Sequence, residues 1–549
     1  MPTNERSPAV WPMAALIVLL AIVAYHGVVL LGHGTDSVFD QEMYRRLSLA
    51  TVAADPVYNR YPMWGLVVYP LMLAGPLWLG HVLPVVAHTL AAVLFFFLLR
   101  EFRLNNLVAL IAACLYLLWP SNYETLLWLS GGMFTFGALF LVAGALVYAR
   151  GRAVSGALLL FAGMLFSEGL FLPTLFLVAV IALVLRKKPI EGGVLGAVLV
   201  ALYGLFQVLR YTTAAGRDFT PYGIGFAKAI PQFREWLWMA FGLTSSQDVA
   251  WMWERAFPTK DVGLLLPTPF LVGALVVGLG VVLLARRLAG PVVPPNRVAV
   301  LLGLSLAVLG FVSAGALFAL IVNNAIQARY TTVGALALAA GLGIGLGALA
   351  SNRSRPLAIV GIALATLLLG NGLFRAWSNV WVNGYPANLM NEVILEDIRA
   401  TYEQTGVANI FVLDDASSVG NAYALGRPWG YAPAGRMYIG PDIDVRNDEM
   451  LVLVSRPDFA PGIRFSDAPC VFLTWQNGQR EIAQQVRVAG KDAVLNCVTG
   501  VVDPLGEPAP MLTFYATNTG AHNLEQLLGA PVDPMTLNQQ LLARLRSIP

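Results

Sequence analysis

PMWGLVVYPLMLAGPLWL, residues 62–79, is the stretch whose placement decides the fold of this chain. It is apolar and almost long enough to cross a bilayer, but it contains three prolines, Pro62, Pro70 and Pro76, and a glycine, Gly75, directly before the third. A transmembrane helix needs about 20 apolar residues, and an internal proline interrupts its hydrogen bonds. Whether this stretch crosses the membrane sets the side on which every later loop lies.

The composition of the chain is that of a membrane protein. Among its 549 residues, 57% are hydrophobic and 12% are charged, and the mean hydropathy is +0.67. Soluble domains carry about 25% charged residues. The net charge of +3 is too small to indicate a nucleic-acid partner. We therefore expect a mostly α-helical, polytopic membrane protein whose helices contact membrane lipids.

The distribution of basic residues predicts that 62–79 does not cross the membrane. Short cytoplasmic loops are rich in lysine and arginine. If 62–79 stays on the outer surface, all short basic connections fall on the same side as Arg6; if it crosses, they all fall on the opposite side. We therefore predict a cytoplasmic N-terminus and a juxtamembrane segment at 62–79, with Trp64, Tyr69 and Trp78 at the interface. The remaining apolar runs predict about 11 transmembrane helices, at 9–31, 81–99, 107–120, 131–149, 153–167, 169–186, 190–210, 264–285, 298–322, 330–350 and 356–376.

The chain becomes more polar after Ala376. We predict a transmembrane domain over 1–376, with an outer loop and juxtamembrane segments over 32–80, and an extracytoplasmic α/β domain over 377–549. An amphipathic helix is expected at 386–405. Strands are expected at 410–413, 450–454 and 471–475.

Two cysteines lie in this polar region. Cys470 and Cys497 are expected to form a disulfide if the region faces an oxidising compartment, or to remain two buried thiols if it does not.

The loop after the first apolar run concentrates charge. Residues 34–46 hold three carboxylates and two arginines, although only 12% of the whole chain is charged. Acids at the end of a membrane span often serve chemistry or ion binding, and an ordinary solvated loop is the alternative. The acids are Asp36, Asp40 and Glu42, and Tyr44 follows them. Asp36 and Glu42 are candidate ligands of a divalent metal ion.

Further polar residues fall on the same predicted side. Arg60 precedes the juxtamembrane segment, Glu124 and Glu168 lie in outer turns, and Arg329 and Tyr330 open the tenth span. Carboxylates can deprotonate an acceptor, and arginine pairs with phosphate in bidentate fashion. This combination predicts an outward-facing cavity for a phosphate-bearing lipid. The structural alternatives are helix capping for the acids, an ion pair with a rim arginine for Glu168, and contact with lipid headgroups for the arginines.

The order of these motifs resembles that of a known family. Asp40-Gln-Glu42-Met-Tyr44 resembles the Asp-Glu-x-x-Tyr element of GT-C glycosyltransferases that use polyprenyl-phosphate-linked sugars, such as the protein O-mannosyltransferases and the aminoarabinose transferases of lipid A. The other similar elements follow in the family's order: Arg60-Tyr-Pro62 with His81 and His88, Pro120-Ser-Asn-Tyr-Glu124 with Trp128, Ser167-Glu168 with Pro173, and Arg329-Tyr330. The chain departs from the family at Gln41, at Ser167, where the family has lysine, and at Thr331-Thr332.

The resemblance implies a GT-C-like membrane glycosyltransferase. In that interpretation Asp40 is the base that activates the acceptor, with Glu124 and Glu168 in the same cavity. Arg60, Arg329, Tyr44 and Tyr330 would bind the phosphate of the donor. The implied partners are a polyprenyl-phosphate sugar donor and a glycan, lipid or protein acceptor, at the outer face of a plasma membrane that we expect to be bacterial.

Two other functions stay open. A glycan polymerase or ligase with a lipid-pyrophosphate donor would also need outer arginines. A transporter or lipid flippase would need ionisable residues at mid-membrane depth, whereas the deep parts of the predicted spans are almost bare apart from His26 and His88.

Overall fold

A computed structural model describes most of the membrane-spanning part of the chain and several segments of its polar C-terminal part. The described residues are 10–32, 41–42, 61–75, 77–127, 129–213, 229–240, 268–289, 308, 310–315, 328–412, 418–419, 422–423, 434–447, 468–476, 479–488, 493–497, 501–503 and 511–514.

The chain divides into two compact units. The first, called the membrane unit, contains the described residues of 10–29, 61–240 and 268–380. The second, called the C-terminal unit, contains those of 381–514 together with 30–32 and 41–42. The end of the first apolar run and part of the charged loop therefore belong to the C-terminal unit.

The membrane unit is helical throughout its described residues. Short 3-10 or π-helical turns precede or follow several of its helices, including Met63–Val68, Pro120–Asn122, Glu168–Leu170, Ile181–Arg186 and Ala328–Thr331. The α-helices are α1 (Val10–Tyr25), α2 (Tyr69–Ala74), α3 (Leu77–Glu101), α4 (Asn106–Leu117), α5 (Tyr123–Leu127), α6 (Gly132–Ala149), α7 (Ala153–Met164), α8 (Phe171–Val180), α9 (Pro189–Thr213), α10 (Ala229–Ala240), α11 (Thr268–Ala289), α12 (Thr332–Ala350) and α13 (Arg355–Ser378).

Within the described residues, eight helices are long and apolar enough to cross a membrane. They are Val10–Leu30, Trp78–Glu101, Gly132–Ala149, Glu168–Arg186, Pro189–Arg210, Thr268–Ala289, Thr332–Ala350 and Arg355–Trp381. The chain is thus a polytopic membrane protein. The predicted spans 107–120 and 153–167 correspond to shorter apolar helices, Asn106–Asn122 and Ala153–Met164. Most of the predicted span 298–322 lies outside the described residues, so the number of 11 stays a prediction.

The stretch 62–79 is broken at Gly75. An apolar helix covers Met63–Ala74, and Gly75 then adopts an extended conformation before α3 begins at Leu77. A helix of this length rises about 18 Å, which is less than the roughly 30 Å of a bilayer core.

Two of the three aromatic residues of this stretch are buried in the protein. Trp64 and Tyr69 are buried and stack on each other with ring centroids 4.9 Å apart. Trp64 also lies against Phe136 of α6. Trp78 is 49% exposed. Trp64 and Tyr69 therefore pack against protein, and the interfacial position of all three residues stays a prediction.

Close helix packing in the membrane unit depends on glycine. α12 lies against α4, and a methyl group added at Gly343 or Gly347 would come within 2.5 Å or 2.8 Å of the Cα atoms of Ala112 and Val108. Small residues let transmembrane helices approach closely, which increases their van der Waals contact. This contact holds α4 and α12, whose ends carry two of the motif turns described below, in a fixed relation.

The C-terminal unit begins with a helix followed by mixed sheets. α14 (Tyr385–Thr405) confirms the predicted amphipathic helix. Of the predicted strands, 450–454 lies outside the described residues. The described strands are β1 (Asn409–Val412), β2 (Ser418–Val419), β3 (Ala422–Tyr423), β4 (Asp444–Asn447), β5 (Cys470–Gln476), β6 (Gln479–Ala483), β7 (Gln485–Val488), β8 (Ala493–Asn496), β9 (Val501–Asp503) and β10 (Met511–Phe514).

The strands form two four-stranded sheets and a hairpin. One sheet has the order β4-β1-β5-β6, the other β10-β7-β8-β9, and β2 pairs with β3. β4, β1 and β5 are parallel, with Ile410 opposite Val445 and Val471. All four residues of β1 are buried, as expected for a central parallel strand covered on both faces. Ile398 of α14 packs into this core.

A disulfide joins the two sheets. It links Cys470, at the start of β5, to Cys497, just after β8. Of the two alternatives that the sequence left open for these cysteines, the structure has the disulfide. The third cysteine, Cys114, is free and buried.

Candidate functional site

The predicted site residues divide into three groups. Asp36, Asp40, Tyr44 and Arg60 lie outside the described residues. Glu124, in α5, and Arg329, in the turn Ala328–Thr331, have a described backbone but no described side chain. Glu42, Glu168 and Tyr330 are described in full.

Glu168 is the centre of a partly buried ionic cluster. The Tyr61 hydroxyl donates a hydrogen bond to its Oε2 atom over 2.9 Å. Nη1 of Arg210 lies 3.3 Å from its Oε1 atom. The side chain of Arg210 is 8% exposed and that of Glu168 is 23% exposed. Both carboxylate oxygens therefore have a partner, and one of these partners is a nearly buried guanidinium.

Local structure places these groups. Ser167 is extended and its hydroxyl accepts the backbone N–H of Gly169, which caps the 3-10 turn that starts at Glu168. Serine at this position is a preferred helix cap. Arg210 comes from the last turn of α9, where the Gln207 side chain accepts a second hydrogen bond from Nη1 over 3.0 Å. The carboxylate and the guanidinium are therefore both held from their own backbone elements.

The turn Pro120–Asn122 meets the turn Ala328–Thr331. The Thr331 hydroxyl donates to the Ser121 hydroxyl over 2.7 Å, and both residues are buried. Next to this contact, the Tyr330 ring lies 5.7 Å from the Phe134 ring, edge to face. Residues that the sequence places 210 positions apart are thus neighbours.

Two side chains from other helices hold the end of α4, which leads into the Pro120 turn. The Tyr25 hydroxyl donates to the carbonyl of Leu117 over 2.7 Å, and Nε2 of His88 lies 3.0 Å from the same oxygen. Since the oxygen is an acceptor, His88 donates from Nε2. Carbonyl groups in the last turn of a helix need partners of this kind. His88 is fully buried and has a structural role here.

Glu42 forms an ion pair inside the C-terminal unit. Its two carboxylate oxygens accept hydrogen bonds from Nε and Nη2 of Arg436 over 2.5 Å and 2.8 Å. This hydrogen bonding raises the pKa of Arg436. The Glu42 side chain is 8% exposed. A carboxylate held in this way by a guanidinium is a poor metal ligand. No group of three or more potential metal ligands occurs among the described residues.

An apolar cavity of about 110 Å³ lies inside the membrane unit. It is lined by residues of α3, α6, α8 and α12 together with Phe102, Leu104 and Gly310, and every residue that lines it is apolar. It extends from Val333, two residues after the Thr331 contact, to Leu104 at the opposite end of the helices. A cavity of this character can take only an apolar ligand.

Comparison of the chain with models of protein families gives no matching family, and comparison with curated proteins gives no similar sequence.

Sequence reasoning missed three residues that the structure brings to the motif turns. Arg210 gave a usable signal, since an arginine within an apolar run is costly unless it is paired. Tyr61 stands inside the Arg60-Tyr-Pro62 motif but has no distinctive neighbours in the sequence. Trp236 lies between the predicted spans 190–210 and 264–285, and the amphipathic pattern of its helix was a usable signal for a buried face.

Chemically, the membrane unit has a paired carboxylate, a nearly buried arginine and hydroxyl groups near one end of its helices. The ion pair with Arg210 is the structural alternative that the sequence predicted for Glu168. The pair does not test whether Glu168 or Arg210 also contacts a substrate. A guanidinium in a site of low polarity is well suited to bind phosphate.

Proposed function

We propose that this protein is a membrane glycosyltransferase that moves a sugar from a polyprenyl-phosphate donor to a glycan, lipid or protein acceptor. The observation that carries the proposal is the pairing of motif turns distant in sequence. Tyr61 contacts Glu168 across 107 positions, and Ser121 contacts Thr331 across 210 positions. Tyr61, Glu168 and Ser121 belong to three of the five elements that resemble the GT-C family, and Thr331 directly follows the fifth, Arg329-Tyr330. A shared site would be a reason for such elements to meet in pairs.

The proposed chemistry is direct displacement at the anomeric carbon. Asp40 takes the proton of the acceptor hydroxyl, the oxygen of the acceptor forms the new bond, and polyprenyl phosphate leaves with the bonding electron pair. A phosphate is a good leaving group once cations compensate its charge. Arg60 and Arg329 are proposed for this role. We further propose a divalent ion with Asp36 as a candidate ligand. Glu42, the other candidate ligand, is less suited to this role because both of its carboxylate oxygens accept hydrogen bonds from Arg436.

One feature supports a lipid donor, and a second supports the side of the membrane on which the protein acts. The wholly apolar cavity that ends near Val333 offers room for part of a polyprenyl chain next to the motif turns. The disulfide between Cys470 and Cys497 is the kind of bond that persists in an oxidising compartment. We propose that the C-terminal unit faces that compartment and that the N-terminus is cytoplasmic, in the plasma membrane of a bacterium.

The test is transfer of radiolabelled sugar by the full-length protein in liposomes, with polyprenyl-monophosphate and polyprenyl-pyrophosphate sugars as separate donors. Monophosphate donors are expected to be used. Asp40→Asn is expected to lower the rate by about 10²- to 10⁴-fold, as for loss of a general base. The control is Asp442→Asn, because Asp442 is exposed in the C-terminal unit. An undiminished rate for Asp40→Asn would remove the central assignment, and use of pyrophosphate donors alone would favour the polymerase or ligase.

A further inference from the structure

α10 docks on the motif turns through a buried tryptophan. The helix lies between the predicted spans 190–210 and 264–285, and its sequence is AIPQFREWLWMA. Trp236, in its middle, is fully buried. A short amphipathic helix at a membrane surface ordinarily turns its aromatic residues toward lipid. Here Trp236 is enclosed by protein, which indicates that the docking is specific.

The indole of Trp236 occupies a slot that two glycines create. Added methyl groups at Gly315 and Gly334 would come within 2.8 Å and 2.5 Å of the ring atoms of Trp236. The Phe311 ring forms another wall, with its centroid 4.5 Å from that of Trp236. A rigid ring that fills a slot of this shape cannot shift to make room for a methyl group.

Hydrogen bonds connect α10 to both motif turns. Nε1 of Trp236 donates to the carbonyl of Tyr330 over 3.1 Å. At the end of the helix, the carbonyl of Ala240 accepts from Nε1 of Trp119 over 2.5 Å. Trp119 immediately precedes the Pro120 turn, and Tyr330 follows Arg329. α10 therefore bridges the two segments that Ser121 and Thr331 also join.

We propose that Trp236 is a positioning residue that fixes the Arg329–Tyr330 segment so that Arg329 can bind the phosphate of the donor. The binding of donor phosphate by Arg329 rests on the proposed function. The position of the Arg329–Tyr330 segment does not depend on that function. The indole N–H of Trp236 holds the backbone of this segment. The indole is itself held in place because its ring packs against Gly315 and Gly334. Loss of either contact lets the turn move while the rest of the membrane unit keeps its packing.

Two pairs of matched variants test the effect on donor binding. Trp236→Phe removes the indole N–H, and Trp377→Phe removes the corresponding hydrogen bond to the carbonyl of Val23 elsewhere in the same unit. Gly334→Ala blocks the slot, whereas Gly345→Ala, in the same helix, meets open space. We expect Trp236→Phe and Gly334→Ala to raise the KM for the donor about five- to tenfold with kcat changed less than about twofold. The two controls are expected to leave KM unchanged.

A labelling experiment tests the positioning without any activity. Cys114 is buried and the other two cysteines form the disulfide, so a thiol introduced by Ala328→Cys can be labelled selectively with a maleimide. Its labelling rate is expected to rise several-fold with Trp236→Phe and to stay constant with Trp377→Phe. Equal rates in the two backgrounds would overturn the inference. Unequal rates in a protein that transfers no sugar would keep the positioning and reject the proposed glycosyltransferase.

Discussion

The opposite ends of the membrane unit both contain an arginine paired with a glutamate, but in different surroundings. At the end with the motif turns, Arg210 and Glu168 have side chains that are 8% and 23% exposed. At the end with the basic loops, Arg150 and Glu101 have side chains that are 52% and 31% exposed, with Nε and Oε1 2.9 Å apart. The shorter distance belongs to the more exposed pair.

The comparison shows that the distance between the two charges does not by itself set how much an ion pair contributes to stability. Solvent screens an exposed pair, and such pairs contribute about 0–1 kcal/mol. A pair withdrawn from water is costly to form and more costly to break, because the remaining charge has no counterpart. The Arg210–Glu168 pair is formed at that cost, but so is Arg186–Glu191 at the basic end, with side chains 10% and 29% exposed. We therefore base a role of Arg210 and Glu168 in binding or positioning on their place beside the motif turns, and not on burial alone. Breaking each pair in turn tests this interpretation.

The largest effect is expected from Arg210→Met. The substitution keeps the apolar stem and removes the Arg210 guanidinium from the Glu168 carboxylate, so the free energy of unfolding should fall by about 3–5 kcal/mol. The measurement is unfolding of the purified protein in mixed detergent micelles. A loss below about 1 kcal/mol would place this pair in the same class as Arg150–Glu101.

A double substitution is expected to have a smaller effect on stability than Arg210→Met alone. Glu168→Leu combined with Arg210→Met removes both charges, and apolar replacements of buried pairs are often neutral or stabilising. We therefore expect recovery of most of the stability that Arg210→Met loses, but no recovery of sugar transfer. Recovery of both stability and transfer would show that the pair has only the structural role of an ion pair at the rim.

The membrane architecture could be predicted from sequence because hydrophobic length and charge bias are local properties. The apolar runs 9–31, 190–210 and 356–376 all correspond to described helices, and the helix at 386–405 was placed to within one residue. The break at Gly75 also follows from the local sequence. The burial of Trp64 and Tyr69 could not be predicted in this way, because it depends on which helices pack against 62–79.

The contacts of the site were less predictable for the same reason. Glu168 and the turns at Pro120 and Arg329 were chosen by their order along the chain. Which side chain pairs with which depends on helix packing, so neither Arg210 nor the Ser121–Thr331 contact followed from the motifs. The assignments of Asp40 and Arg60 remain predictions that lie outside the described residues.

Tyr61→Phe is expected to have an intermediate effect. The substitution removes the hydroxyl that donates to Oε2 of Glu168 and keeps the ring. Since Arg210 remains paired, the loss is that of one hydrogen bond to a charged group, about 1.5–3 kcal/mol in the free energy of unfolding. Tyr402→Phe is the control, because Tyr402 is 38% exposed on α14 in the C-terminal unit. Equal losses for the two variants would mean that the Tyr61 hydroxyl contributes nothing specific.

The smallest effect is expected from Arg150→Ala at the basic end. The pair with Glu101 is screened by solvent, so the free energy of unfolding should change by about 0.5 kcal/mol or less, and this change should shrink as salt concentration rises. Sugar transfer should not change. A loss comparable to that of Arg210→Met would contradict the comparison of the two ends, because exposure would then fail to distinguish a structural surface pair from a pair near a site. The salt series is the sharper measurement, since only a solvent-exposed pair responds strongly to ionic strength.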